Sequence, residues 1–214
     1  MQILSSREEW LEARRGYIGG SEISAVVGRN PYKSNLELWQ EKTGLITPED
    51  IGDKPYVRYG HDAEPLLRDM FALDFPEYSV DYWDNNIWLN PRFPFAHASL
   101  DGWLTEKATG RKGILEIKTT HILQSQQKEK WNGRIPDNYY CQVLWYLMVT
   151  EWDFAVLKAQ LKYDFGGDIM IQTRHYKIER SKVEEDIAVL AAEGERFWES
   201  VKNKRKPALR LPEI

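Results

Sequence analysis

The sequence predicts an α/β or α+β domain built around a mixed central sheet. Apolar residues recur at helical spacing through the first third of the chain. From Tyr78 to Leu104 the pattern is strand-like, rich in β-branched and aromatic residues, a further strand covers Ile114 to Thr119, and a helix, two strands and a final helix follow. The chain has 214 residues, 42% hydrophobic and 13% aromatic. That is enough for one sizeable core and, by size, one domain spanning residues 1–214. Charged residues make up 29% and mix both signs, unlike a disordered chain.

Taken in order, residues 6–14 predict a short helix carrying Trp10 and Leu11, and Gly16 to Gly20 a loop. Ser21 is expected to cap a short helix, Glu22 to Val27, ended by Gly28. Asn30-Pro31-Tyr32 makes a turn, and Ser34 with Glu37 forms a capping box for a helix ending near Gly44. Residues 46–56, with Pro48, Gly52 and Pro55, read as an exposed loop. A helix then starts between Arg58 and Asp62, with Leu66, Leu67, Met70 and Phe71 as its apolar positions. Strands follow, broken by turns at Asp84-Asn85-Asn86 and Asn90-Pro91; the last two are Ala98 to Leu104 and Ile114 to Thr119, joined through Thr105 to Lys112. Residues 122–131 are expected to be helical, and Pro136-Asp137 opens a longer helix to about Thr150. Phe154 to Leu161 and Met170 to Ile178 are strands around a Gly166-Gly167 turn. A last helix runs from Ser181 to Lys202, and the basic tail Lys202 to Lys206 precedes Pro207.

Composition narrows the function classes. The N-terminus turns charged at once and has no apolar run of the length a signal peptide needs. No stretch approaches the roughly 18 apolar residues of a membrane span. The one cysteine, Cys141, excludes an internal disulfide and a multi-cysteine metal site, which suits a reducing, cytoplasmic compartment. A net charge of −4 argues against a nucleic-acid binder with a broadly basic surface. Acidic residues gathered around metal ions would lower the total without repelling DNA.

The chemistry concentrates in Leu100-Asp101-Gly102 and Leu115-Glu116-Ile117-Lys118. Side chains alternate along a strand, so Glu116 and Lys118 share one face while Leu115, Ile117 and Thr119 take the other. A hairpin would set Asp101 beside Glu116, placing two carboxylates against a lysine. Carboxylate, carbonyl and water oxygens suit a hard cation such as Mg²⁺, which activates water and polarises a phosphoryl group; lysine offsets the developing charge. The Ile117 carbonyl is a further candidate ligand. Taken alone, Glu-x-Lys is also an ordinary salt bridge on a solvated strand face.

The wider pattern resembles the PD-(D/E)xK nuclease superfamily, with Leu100 where a proline is usual. More closely, it resembles the YqaJ-like viral recombinase group, the phage lambda exonuclease family. The resemblance rests on five segments in order: Arg14 to Glu22, extended by Asn30 to Ser34 and Leu38-Trp39; Tyr59-Gly60-His61-Asp62-Ala63-Glu64-Pro65; Ala98 to Gly102; Leu115 to Thr119; and Tyr140 to Tyr146. It implies a restriction-endonuclease-like core, a mixed central β-sheet flanked by helices with a helical N-terminal region. It implies a 5′-to-3′ exonuclease on linear double-stranded DNA that leaves 3′ single strands for recombination. It further implies Mg²⁺ or Mn²⁺ at Asp101, Glu116, Ile117 and Glu64, a homotrimeric ring, a single-strand annealing partner and a phage or prophage origin. An endonuclease, a single-strand exonuclease and an inactive DNA-end-binding protein on the same fold are the alternatives.

Supporting residues follow. Gln142 and Tyr146 lie four apart on a helix and share a face, and a glutamine buried in an otherwise apolar helix needs a partner; in the family that glutamine helps to order the site, and Tyr146 is a candidate DNA contact. His61 lies one turn before Glu64 and is either a partner of the site or a surface residue. Arg14 and Ser21 are candidates for a terminal phosphate, one through its planar fork and the other at a helix start, with Gly19 and Gly20 permitting close approach. Arg15 competes with Arg14, and the family register favours Arg14. Of nine tryptophans, Trp88, Trp145 and Trp198 suit the core, whereas Trp103 and Trp131 are candidate DNA contacts. The Lys202 to Lys206 tail is either a phosphate contact or a solvated helix end.

Overall fold

The computed structural model describes residues 1–211. Its elements are β1 (Gln2–Ile3), α1 (Arg7–Arg15), α2 (Gly20–Val26), α3 (Asn35–Lys42), α4 (Pro55–Asp74), β2 (Tyr78–Asp81), β3 (Asn86–Leu89), β4 (His97–Ala98), β5 (Gly102–Glu106), β6 (Lys112–Ile122), α5 (Ser125–Glu129), α6 (Asp137–Thr150), β7 (Phe154–Phe165), β8 (Asp168–Glu179) and α7 (Glu184–Lys202). Five strands form a mixed sheet in the order β2-β5-β6-β7-β8, parallel only between β6 and β7. A three-stranded antiparallel sheet, β1-β3-β4, stands apart. Among the described residues no helix is long and apolar enough to cross a membrane.

The alternation along β6 sorts its side chains between two cores. Ile114 and Ile122 join α6, α2 and α7, while Leu115 and Ile117 pack with Ala63, Leu67 and Phe71 of α4. The large sheet is therefore sandwiched between α6 and α4. Every residue of α6 from Cys141 to Val149 is buried, the pattern of a helix covered on all sides.

The structure moves several boundaries. α4 begins at Pro55, three residues before the earliest start read from the sequence, because Pro at the first helical position needs no N–H partner. Its inward stripe is Ala63, Leu67 and Phe71; Leu66 and Met70 are exposed. Gly19, not Ser21, caps α2, and the Glu22 carboxylate accepts the Gly19 N–H at 2.8 Å. The expected strand Ala98 to Leu104 is split: His97 and Ala98 pair with β3, whereas Gly102 onward pairs with β6. The helix expected over 122–131 shortens to the five residues of α5, since β6 extends to Ile122. The last helix starts at Glu184, after a 3₁₀ turn at Arg180–Lys182.

Close approach at two glycines fixes the layers. A Cβ on Gly113 would lie 2.3 Å from the Phe154 ring, and one on Gly194 of α7 only 2.4 Å from the ring of the fully buried Trp145. In an open helix, Gly194→Ala would gain about 1 kcal/mol of propensity. Here overpacking against a rigid indole, at about 1–3 kcal/mol, outweighs that gain. We therefore expect urea unfolding to show Gly194→Ala less stable than the wild type; a variant as stable or more so would mean that α7 yields freely against α6.

Candidate active site

Glu116 is buried, 1% exposed, at the centre of the sheet. Its Oε1 is bonded by Lys118 Nζ at 2.6 Å and accepts from Gln142 Nε2 at 2.6 Å. Gln142 also donates to the Tyr146 hydroxyl at 3.0 Å. The two-residue period of β6 brings Lys118 to Glu116, and the four-residue period of α6 brings Tyr146 to Gln142. Glu116 Oε2 is buried without a partner.

Asp101 arrives from the other strand of the hairpin. The ladder ends at the pair Gly102–Leu115, and one step beyond it the Ile117 N–H donates to Asp101 Oδ2 at 2.9 Å. Buried Asn86 pins this approach: its side chain accepts the Leu100 N–H and donates to the Leu100 carbonyl, each at 2.9 Å. A proline at position 100 would lack that N–H, which gives the departure from the superfamily pattern a local reason.

Glu64 comes from α4, across the end of β5. Arg68, one turn on, binds Glu64 Oε1 through Nη2 and the Asp101 carbonyl through Nε, both at 2.6 Å. Burial and the neighbouring Asp101 raise the Glu64 carboxyl to about 7, against the opposing pull of Arg68 and Lys118. Burial and Asp101 likewise raise Glu116 to about 8. For Lys118, burial favours the neutral amine, but Glu116 and Asp101 outweigh it and hold the ammonium above its usual range. Lys118 is thus a fixed cation; it also lies 5.1 Å from the Tyr139 ring centroid.

Among the described residues, no group of three acidic, histidine or cysteine side chains stands as a ready-made cage for a metal. Lys118 and Arg68 each hold one oxygen of the glutamates. The donor set nevertheless fits a hard divalent cation. All three side chains are carboxylates, Glu116 presents an unpartnered buried oxygen, and burial with mutual repulsion drives both glutamates toward protonation, which a cation would reverse.

The other sequence candidates separate. The Arg14 guanidinium lies 4.1 Å from the Trp10 ring centroid, and Trp10 Nε1 donates to the Asn86 carbonyl and to Ser99 Oγ, two residues before Asp101. Arg15 is exposed and paired with Glu12. Ser21 is exposed beside Gly20, and it is the Tyr146 ring that packs onto Gly20, where a Cβ would be only 2.3 Å away. Gly19 is closed in the same way by His97, so both glycines admit side chains of the core. Burial, then Arg14 and Lys42, push the His97 imidazole well below its usual range, so it is neutral.

Three aromatic candidates for DNA contact are buried instead. Trp103 is 8% exposed and packs edge-on against Trp88, while Trp131 is 2% exposed against Tyr139 and Tyr176. Tyr146 is 5% exposed and belongs to the Glu116 network. His61 and the Lys202 to Lys206 tail are exposed. Sequence reading missed Arg68, Asn86 and Trp10. Arg68 had a faint signal, its four-residue spacing from Glu64, whereas the partners of Asn86 and Trp10 lie up to 89 residues away.

Comparison with known proteins bears on the family and the fold. The family model of the YqaJ-like viral recombinase domain matches residues 9–153. The YqaJ protein of Bacillus subtilis is 33% identical over 207 residues, covering 95% of this chain and 59% of the relative. Protein R354 of Acanthamoeba polyphaga mimivirus is 26% identical over 161 residues, covering 71% of this chain and 28% of the relative. The chain therefore spans less than two thirds of either relative. Among solved structures, an alkaline exonuclease from Laribacter hongkongensis superposes with TM-score 0.69 at 20% identity, over 92% of this chain and 94% of that one. A phage-related exonuclease from Haemophilus somnus gives 0.58 at 13%, over 88% and 96%. At such identities the likeness is one of fold.

The raised glutamates have a signed consequence for the metal-free protein. Their folded values lie above the ordinary 4.5, so between about pH 4.5 and 8 the folded state holds more protons than the unfolded one. Their contribution to stability is then lost as pH rises. Melts in chelator should show Glu116→Gln gaining stability relative to the wild type from pH 5 to 9. A wild type that gained on the variant over that range would contradict the buried, repelled carboxylate.

Proposed function

Since the chain belongs to the YqaJ-like viral recombinase domain family, we propose that it is a divalent-metal-dependent deoxyribonuclease acting on the ends of linear double-stranded DNA. The observation that carries this reading is the meeting of Glu64, Asp101 and Glu116, from three separate elements, with Lys118 bonded to Glu116. A structural salt bridge needs one partner for Glu116. Here two further carboxylates crowd it at a cost in repulsion, an arrangement characteristic of functional sites.

In this reading Asp101, Glu116, Glu64 and the Ile117 carbonyl hold Mg²⁺ or Mn²⁺. When bound, the cation polarises the phosphoryl group and promotes attack by water. The remaining work belongs to the chain. Lys118, kept protonated by Glu116 and Asp101, orients the attacking water and offsets charge developing on the phosphate; it does not abstract a proton. Gln142 fixes Glu116 through Oε1 and leaves Oε2 free to face the cation. Tyr146 holds Gln142 in turn. Arg14, held over Trp10 near Ser99, is better supported than the exposed, paired Arg15 as the group that grips a terminal 5′-phosphate, with Ser21 beside it. A grip on that phosphate underlies the proposed 5′-to-3′ polarity and the 3′ single strands left for recombination with an annealing partner.

A homotrimer belongs to the same proposal. Supporting it, β8 is an edge strand whose Ile169, Met170 and Ile171 are each more than half exposed, an edge that invites association.

The test uses four substrates with Mg²⁺: linear duplex with 5′-phosphate, linear duplex with 5′-hydroxyl, circular duplex and single strands. We expect degradation fastest on the phosphorylated linear duplex, none on circles, and a rate about 10²–10³-fold lower for Lys118→Ala. Cutting of circles would overturn the exonuclease reading, and equal rates on both 5′ ends the phosphate grip. A wild type as inert as Lys118→Ala on all four would point to a DNA-end-binding protein.

A further inference from the structure

We infer that Arg68 is a positioning residue that sets the separation of Glu64 and Asp101 for the divalent cation, an assignment resting on the metal-dependent nuclease reading above. Three observations carry it. Arg68 spans two elements, donating from Nη2 to Glu64 Oε1 on its own helix and from Nε to the Asp101 carbonyl at the end of β5, both at 2.6 Å. Its guanidinium lies 3.6 Å from the Tyr82 ring centroid, just past β2. Its side chain is 12% exposed.

An ordinary i,i+4 pair on a helix surface would be solvated, free to rotate and confined to one helix. This guanidinium has none of those freedoms: an aromatic face covers it, and two of its edges are spent on separate elements. The contacts exploit its planar fork, since one nitrogen addresses a carboxylate and another a main-chain carbonyl in fixed relation.

The consequence lies in the oxygens left over. Arg68 occupies one lone pair on Oε1 of Glu64 and one on the main-chain carbonyl of Asp101. The unused Glu64 Oε2 is directed by the grip on Oε1. Asp101 is held at both ends, by Arg68 at its carbonyl and by the Ile117 N–H at Oδ2, so its Oδ1 is directed as well. Two carboxylates on unconnected elements are thereby locked as a pair, and partners of this kind tune metal affinity through the ligands they orient. Simple charge competition would act in the opposite direction, with Arg68 weakening the cation's binding.

Mn²⁺ titration followed by electron paramagnetic resonance of the free ion separates these roles. Arg68→Lys keeps the charge and loses the fork; Arg68→Ala loses both. A positioning role predicts Mn²⁺ binding about 10-fold weaker in Arg68→Lys and up to about 100-fold weaker in Arg68→Ala. It also predicts a fall in kcat on linear duplex with KM for DNA little changed. Thermal melts establish that the variants are folded, and Arg68→Lys decides the matter if Arg68→Ala is not. Mn²⁺ binding unchanged or tightened in the folded variants overturns the assignment while leaving the nuclease reading intact. A wild type that neither binds Mn²⁺ nor cuts DNA sinks that reading, and this inference with it.

Discussion

The structure turns on the burial of one carboxylate. Glu116 sits in the middle of the central sheet, in surroundings that would otherwise suit a leucine. A buried charge is costly unless it is paired and hydrogen-bonded. Lys118 supplies the charge and Gln142 the hydrogen bond, both on the same oxygen. The second oxygen is left without either, and this imbalance makes the residue a poor structural element and a good ligand.

Much of the surrounding architecture serves that arrangement. From Cys141 to Val149 α6 is buried and otherwise largely apolar, and Gln142 is tolerated there because Glu116 and Tyr146 satisfy it. Tyr146 reaches it by packing against Gly20, and Trp145, its neighbour in α6, lies against Gly194 of α7. On the other side of the sheet, α4 is seated by Leu67 and Phe71 and delivers Glu64 beside the point where β5 begins. Asn86 and Arg68 then hold the segment through Leu100 and Asp101 from two directions. Elements far apart in the chain therefore converge on a few ångströms of β6.

Asp101, Glu116 and Lys118 were legible because a strand has a period of two and a hairpin has few registers. Gln142 was legible because a polar side chain in an apolar helix requires a partner. Other features were not. Trp103 and Trp131 looked available for DNA because aromatic residues serve cores and binding surfaces alike, and composition cannot tell a ring packed on Trp88 or Tyr139 from one open to solvent. Gly19 and Gly20 were read as letting a terminal phosphate come close, but His97 and Tyr146 pack there instead, set by tertiary packing. The helix expected over 122–131 lost its start because β6 pairs with β7 as far as Ile122, and ladder pairing there outweighed local preference; what remains is Ser125–Glu129.

The sequence by itself determined the class of fold, which side chains of β6 share a face, and the acidic and basic groups available for chemistry. These depend on periodicity and residue type, which are local. Tertiary structure alone decided that Arg68 joins Glu64 to Asp101, that Arg14 lies over Trp10 while Arg15 pairs outward, and that Asn86 stands behind Leu100. Each of these is a contact between segments whose relative placement follows from burying two apolar cores on opposite faces of one sheet. No local pattern encodes that placement, since the same side chains would suit other partners until the layers close.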